Sequence, residues 1–183
     1  MGNSIGESEP NSIINCNETR HSKNRNQVKD HTIPKFSKSD FIFHQNIRGL
    51  NSSKLGELSF LLTANSPHTI CFTEHHLDIN EIDTILLPNY RVGGKFCRNL
   101  LKNGGICIFT HESLQSTNMN LNGFCKEKDL EICAVKLHLP SHAICVITIY
   151  RSPLWNYQYF IDKLETILNM IYSNCWNNNM WRH

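Results

Sequence analysis

Three short apolar runs in this chain each end on a residue type that handles a metal or a phosphate. FIFHQN stops at Asn46, TICFTE at Glu74, and ICVITIY at Tyr150, with Arg151 following at once. A carboxylate is the ligand a hard divalent cation prefers, and a side-chain amide can orient the waters around such an ion. A phenol and a guanidinium can both donate to phosphate oxygens. If the runs are strands of one fold, their polar ends are candidates for a single site, because open α/β sheets bind ligands beyond the carboxyl ends of their strands.

The intervening sequence says how these ends could meet. Phe41 to Asn46 is predicted as a strand, Ser53 to about Ala64 as a helix with Leu55, Leu58 and Leu62 on one face, and Thr69 to Thr73 as a second strand. A strand–helix–strand crossover pairs its strands in parallel and with one hand, so Asn46 and Glu74 should emerge at the same sheet edge. A polar stretch to Pro88, predicted as a loop around Asp78, leads into Tyr90 to Arg98. Gly104-Gly105 then marks a turn into the run ICIFTH. From Asp129 to Leu139 two rows are apolar, one containing Cys133, Val135, Leu137 and Leu139 and the other Ile132 and Ala134, which predicts a strand buried on both faces. Pro140-Ser141-His142 turns the chain into Ala143 to Tyr150, and Pro153 ends that strand. From about Asn156 the residues Phe160, Leu164, Ile167, Leu168 and Ile171 follow a helical stripe.

At 183 residues the chain has room for one domain of ordinary size and tails. Its hydrophobic content of 40% comes in short bursts, none of membrane-spanning length. The N-terminus has neither the apolar core of a secretory signal nor the Arg-rich look of a transit peptide. Gly6 stands where a myristoylation signal wants Ser or Thr. An intracellular protein is expected, nuclear or cytoplasmic alike, with no membrane partner. The 8 cysteines include no close pair of the kind that forms a zinc knuckle. Cys71, Cys107, Cys133 and Cys145 lie inside apolar runs and are expected as buried free thiols, which favours a reducing compartment. A net charge of +2 permits a nucleic-acid partner without arguing for one.

Taken together, QNIRGL at Gln45 to Leu50, FTEHHL at Phe72 to Leu77, the glycine pair and apolar run at Gly104 to Phe109, and IYRSP at Ile149 to Pro153 resemble the endonuclease/exonuclease/phosphatase superfamily. Within it they look most like the apurinic-type endonuclease domain of non-LTR retrotransposons. The resemblance covers about residues 41–172, the N-terminal half to two-thirds of such a domain. It implies part of a four-layered αββα sandwich, a divalent cation, Mg2+ or Mn2+ in its place, and hydrolysis of DNA phosphodiester bonds. Carried over by position, Glu74 would ligate the metal with Asn46 beside it. Tyr150 would contact the phosphate or the departing oxygen, and Arg151 would bind the substrate strand.

The family continues with an Asp-x-Asn pair one strand beyond the helix that corresponds to Asn156 to Ser173, and later with an Asp-His pair that serves the attacking water. Here the sequence runs into Asn177-Asn178-Asn179. Asp78-Ile79-Asn80 has the right letters in the wrong place and is taken as coincidence. His75 and His76 are not expected to share an ion, because neighbours on a strand point to opposite faces. The layout expected is therefore a disordered polar arm over 1–38, a partial domain over 39–173 with its C-terminal portion missing, and an Asn-rich tail over 174–183. Two functions compete: a Mg2+-dependent endonuclease impaired by truncation, and an inactive mobile-element remnant with at most nucleic-acid binding. An uncovered sheet would favour self-association.

Overall fold

Strand β1 (Ile42–Asn46) and strand β2 (Thr69–Thr73) pair in parallel, with Asn46 opposite Thr73, and helix α1 (Ser52–Ala64) forms the crossover between them. These coordinates are a computed structural model that describes residues 42–64, 66–140 and 142–176. The arm expected over 1–38 and residues 177–183 of the expected tail lie outside the described residues. A short helix α2 (Ile79–Asp83) follows β2. Strand β3 (Tyr90–Phe96) then pairs antiparallel with β4 (Ile106–His111), and β4 with β2, giving the sheet order β1-β2-β4-β3. A second antiparallel sheet consists of β5 (Gln115–Met119), β6 (Glu131–His138) and β7 (Ala143–Tyr150) in that order. Helix α3 (Tyr157–Trp176) continues past the expected domain boundary at 173.

Side-chain alternation along the strands sets the layers. Ile70 and Phe72 of β2 and Cys107 and Phe109 of β4 join Leu58 and Leu62 of α1 in one buried cluster. The residues between them, Cys71, Ile106 and Ile108, face the other way and pack on Cys133, Val135 and Leu137 of β6. The opposite row of β6, Ile132 and Ala134, packs on Ile167 and Ile171 of α3. The order is thus α1, first sheet, second sheet, α3. Phe72 centres the first cluster, edge-on to Phe43 and Phe109 at centroid distances of 6.4 and 6.0 Å. Full burial of a side chain of this size stabilises by roughly 1.5–3 kcal/mol.

The expected elements form, with four differences. The polar segment QSTNM becomes β5, because its backbone pairs with β6 from Gln115↔His138 to Met119↔Ala134 while its side chains stay largely exposed. Asp78 opens a helix instead of a loop. Its Oδ1 accepts from Asn80 N at 2.7 Å and Glu81 N at 2.9 Å, while Glu81 Oε2 accepts from Asp78 N at 2.8 Å. This reciprocal capping box accounts for the Asp-Ile-Asn tripeptide without any role in chemistry. On α3, Leu168 is 44% exposed and Met170 packs inward in its place. Finally, Cys71, Cys107 and Cys133 are buried free thiols as expected, but Cys145 is half-buried and disulfide-bonded. Among the described residues no helix is long and apolar enough to cross a membrane.

Candidate functional site

The turn after β2 is built from residues that rarely adopt the conformations they hold. Glu74 has φ 57° and His76 φ 63°, in the left-handed region that non-glycine residues avoid. Hydrogen bonds from both sides hold them there. Gly49 N donates to Glu74 O at 2.7 Å and Leu50 N to His75 O at 2.9 Å, while His75 N and His76 N donate to Gly105 O and Gly104 O at 3.2 and 2.8 Å. Strain of this kind persists only where the surroundings over-determine the backbone, and it is common at sites. Lys54 reinforces the first side by donating its Nζ to the carbonyls of Ile47, Arg48 and Gly49.

His75 is fully buried behind this turn. Its Nδ1 accepts from Leu77 N at 3.0 Å, which assigns the ring proton to Nε2, 3.3 Å from Phe96 O. Burial pulls its pKa down to about 4. The ring lies so close to Gly105 that a Cβ there would stand 2.5 Å from Cε1, and Gly105 also has φ +84°. Only glycine meets both demands. His75 and His76 do diverge, although the reason differs from the expected one: β2 ends at Thr73, and the two lie in the turn beyond it.

The structure brings Glu74 and Tyr150 together across the two sheets. Burial first, then the neighbouring Glu74 carboxylate, pushes the Tyr150 phenol up to about 12. Tyr150 is therefore a protonated donor at neutral pH. The Glu74 side chain is 20% exposed, with His76 Nε2 4.0 Å from its carboxylate. The pKa of His76 is lowered, chiefly by burial and further by Lys54 and Arg98, against the pull of Glu74. Asn46 ends β1 next to Thr73, and its exposed side-chain oxygen accepts from Arg48 N at 3.3 Å. Arg151 is taken up by its own loop: Nη1 donates to the carbonyls of Ser152, Pro153 and Trp155 at 3.1, 3.3 and 3.1 Å.

Beneath Tyr150 lies an ion pair that sequence reasoning missed. Glu131, which opposes Tyr150 in the β6–β7 register, is fully buried, and Arg98 Nε donates to its Oε1 at 2.6 Å. Glu131 Oε2 accepts from Gly105 N at 2.8 Å and Oε1 from Lys128 N at 3.1 Å. Arg98 also donates to Asn103 O at 2.7 Å, and its Cζ lies 5.9 Å from the Tyr150 ring centroid. A Cβ on Gly104 would meet that guanidinium at 2.0 Å, so the glycine pair admits Arg98 and His75 side by side. A charged residue heading the doubly buried run EICAV was the signal available in the sequence, since a buried carboxylate requires a partner.

The donor set suits a hard cation. Glu74 offers a partly exposed carboxylate and Asn46 a neighbouring exposed amide oxygen, while among the described residues no three His, Cys, Asp or Glu cluster as a metal cage. Mg2+ is commonly held by one or two carboxylates and keeps several waters, whereas structural zinc wants four close nitrogen or sulfur ligands.

Among solved structures, the chain is similar to the endonuclease domain of TRAS1, a telomere-specific non-LTR retrotransposon, with a TM-score of 0.54 at 10% identity over 71% of this chain and 54% of that one. It is similar also to D. rerio TDP2 complexed with a single-strand DNA product, with a TM-score of 0.52 at 14% identity over 72% of this chain and 54% of that one. The fold is of the endonuclease/exonuclease/phosphatase type. A humanized D. rerio TDP2 matches at a TM-score of 0.50 and 14% identity, over 72% of this chain and 58% of that one. The chain spans about half the length of these endonuclease/exonuclease/phosphatase neighbours. No family model and no curated protein matches the sequence. The resemblance expected from the four motifs is borne out at the level of fold.

Proposed function

We propose that this chain carries the metal-holding part of a phosphodiester hydrolase centre that acts on DNA. The observation that supports it best is the Glu74 carboxylate, held in a doubly clamped left-handed turn beside the protonated Tyr150 phenol. In this reading Glu74 and Asn46 hold Mg2+, or Mn2+ in its place. A bound ion of this kind neutralises charge that develops on phosphate oxygens. Tyr150 donates to a phosphate or departing oxygen, and Arg151 contributes positive charge beside the strand while its Nη1 holds the loop. His76 Nε2 lies 4.0 Å from the Glu74 carboxylate, and burial lowers its pKa. General acid–base assistance is typically worth about 10²–10⁴-fold, and this reading assigns no residue to it, so slow hydrolysis is the expectation. The lack of an assigned base leaves a second reading, in which the chain binds nucleic acid without turning it over.

Nicking of supercoiled plasmid separates the two. Slow nicking that requires Mg2+ and vanishes with EDTA or in Glu74→Gln is the expected result. Nicking that survives both would remove Glu74 from the centre, and none from folded protein would leave the binding reading.

The sheet edges bear on assembly. Strand β7 is at the end of its sheet, with eight residues, AICVITIY, paired on one side by β6. An apolar edge of this length is a template for further pairing. Self-association through it is part of the proposal. Sedimentation velocity is expected to show the mass rising with concentration, and a monomer throughout would sink it.

A further inference from the structure

The loop immediately after Tyr150 and the first residue of α3 present apolar and aromatic side chains to solvent: Leu154 is 95% exposed, Tyr157 62% and Trp155 43%. The backbone that carries them is firmly held. Ser152 N donates to Lys128 O at 2.8 Å and Asn156 N to the buried Asp129 Oδ1 at 3.1 Å, and the Arg151 guanidinium gathers the loop carbonyls. Exposed aromatics on a fixed loop bind a flat partner with little ordering entropy to lose.

Cations alternate with these rings. Lys128 Nζ lies 5.0 Å from the Trp155 centroid, and Arg151 Cζ lies 5.6 Å from that of Tyr157. The acidic groups nearby are already engaged. Glu131 holds Arg98, Asp129 holds Lys126 and Asn156 N, and Glu127 accepts from the backbone N–H of Asn99, Leu100 and Leu101 at 2.7, 2.9 and 2.7 Å. Among the described residues no ion pair neutralises Lys128 or Arg151. A surface of π-faces interleaved with unpaired positive charge suits a polyanion that carries flat rings. An apolar protein partner would gain nothing from the cations.

We infer that Trp155, Tyr157, Lys128 and Arg151 form a stacking platform for unpaired bases of a DNA strand. The inference deepens the reading of the Tyr150 end as a phosphodiester site and names the state of the strand it prefers. Bases within a duplex already stack on each other, whereas unpaired bases have free faces for an aromatic side chain. Lys128 and Arg151 meet the phosphates on either side.

Fluorescence anisotropy with a labelled oligothymidine and with a hairpin duplex of equal length, both in EDTA, tests the platform without any chemistry. The single strand is expected to bind more tightly than the duplex. Trp155→Ala should weaken single-strand binding roughly 5- to 100-fold, while Trp155→Phe, which keeps a ring, stays within about 3-fold of the wild type. Lys128→Ser should lower the salt slope by about one unit. Leu168→Ala, on the exposed side of α3, should match the wild type. Equal binding of duplex, wild-type affinity in Trp155→Ala, or equal losses in the Phe and Ala variants would overturn the inference, as would no binding at all. Because no metal is present, the platform stands or falls separately from plasmid nicking.

Discussion

Arg98→Met is expected to lower unfolding stability at pH 7 by about 3–5 kcal/mol, the range seen when one partner of a buried ion pair is removed. The two side chains are 5% and 0% exposed, so neither charge has water to fall back on. Methionine fills much of the volume of the arginine stem but leaves Glu131 with only the Gly105 and Lys128 amides. It also releases the carbonyl of Asn103, which Arg98 ties to the second sheet. Urea denaturation measures the loss. Adding Glu131→Gln should restore part of it, because a neutral amide accepts from the same amides without an unpaired charge. A double variant as unstable as the sum of the single ones would show that the pair is not coupled. The consequence for the site is direct, since this pair lies under Tyr150 and beside the turn that holds Glu74.

Acid is expected to destabilise the chain through His75. Its folded pKa is about 4, against 6.5 for the free side chain, so between those values the unfolded state binds the extra proton. Stability from this group is complete above about pH 6.5, is lost as pH falls through the window, and changes no further below about pH 4. The full loss is on the order of 3 kcal/mol. His44 and His76 are lowered as well and add to the loss with the same sign. Urea midpoints at pH 7, 5.5 and 4.5 should therefore decline, and His75→Gln should flatten the decline by up to about 1.4 kcal/mol per pH unit. An identical decline in the variant would mean that His75 does not carry the effect. Protonated Nδ1 would face the Leu77 amide it now accepts from, so the turn carrying Glu74 loosens with the same titration.

Much of the architecture follows from patterns that are local in sequence. The stripe Leu55, Leu58, Leu62 commits α1 to one face, and the two apolar rows of β6 require a layer on each side of it. The crossover from β1 to β2 obliges Asn46 and Thr73 to share an edge. Hydrophobic period is a property of neighbouring residues, and it survives whatever the rest of the chain does. Strand β5 escaped because its side chains are polar and exposed. Its place depends on backbone pairing with β6, which no period in QSTNM announces.

The site divides in the same way. Residue type and order named Asn46, Glu74 and Tyr150, and the fold brings the last two near enough for the carboxylate to raise the phenol's pKa. The sequence alone did not tell that Arg151 is held in its own loop, that His75 is buried and neutral, or that Glu131 meets Arg98 across 33 residues. Each of these depends on which remote backbone approaches a side chain closely enough to desolvate it or offer it a partner. Burial and charge pairing are set by the packing of one sheet on the other, and only the tertiary structure decides them.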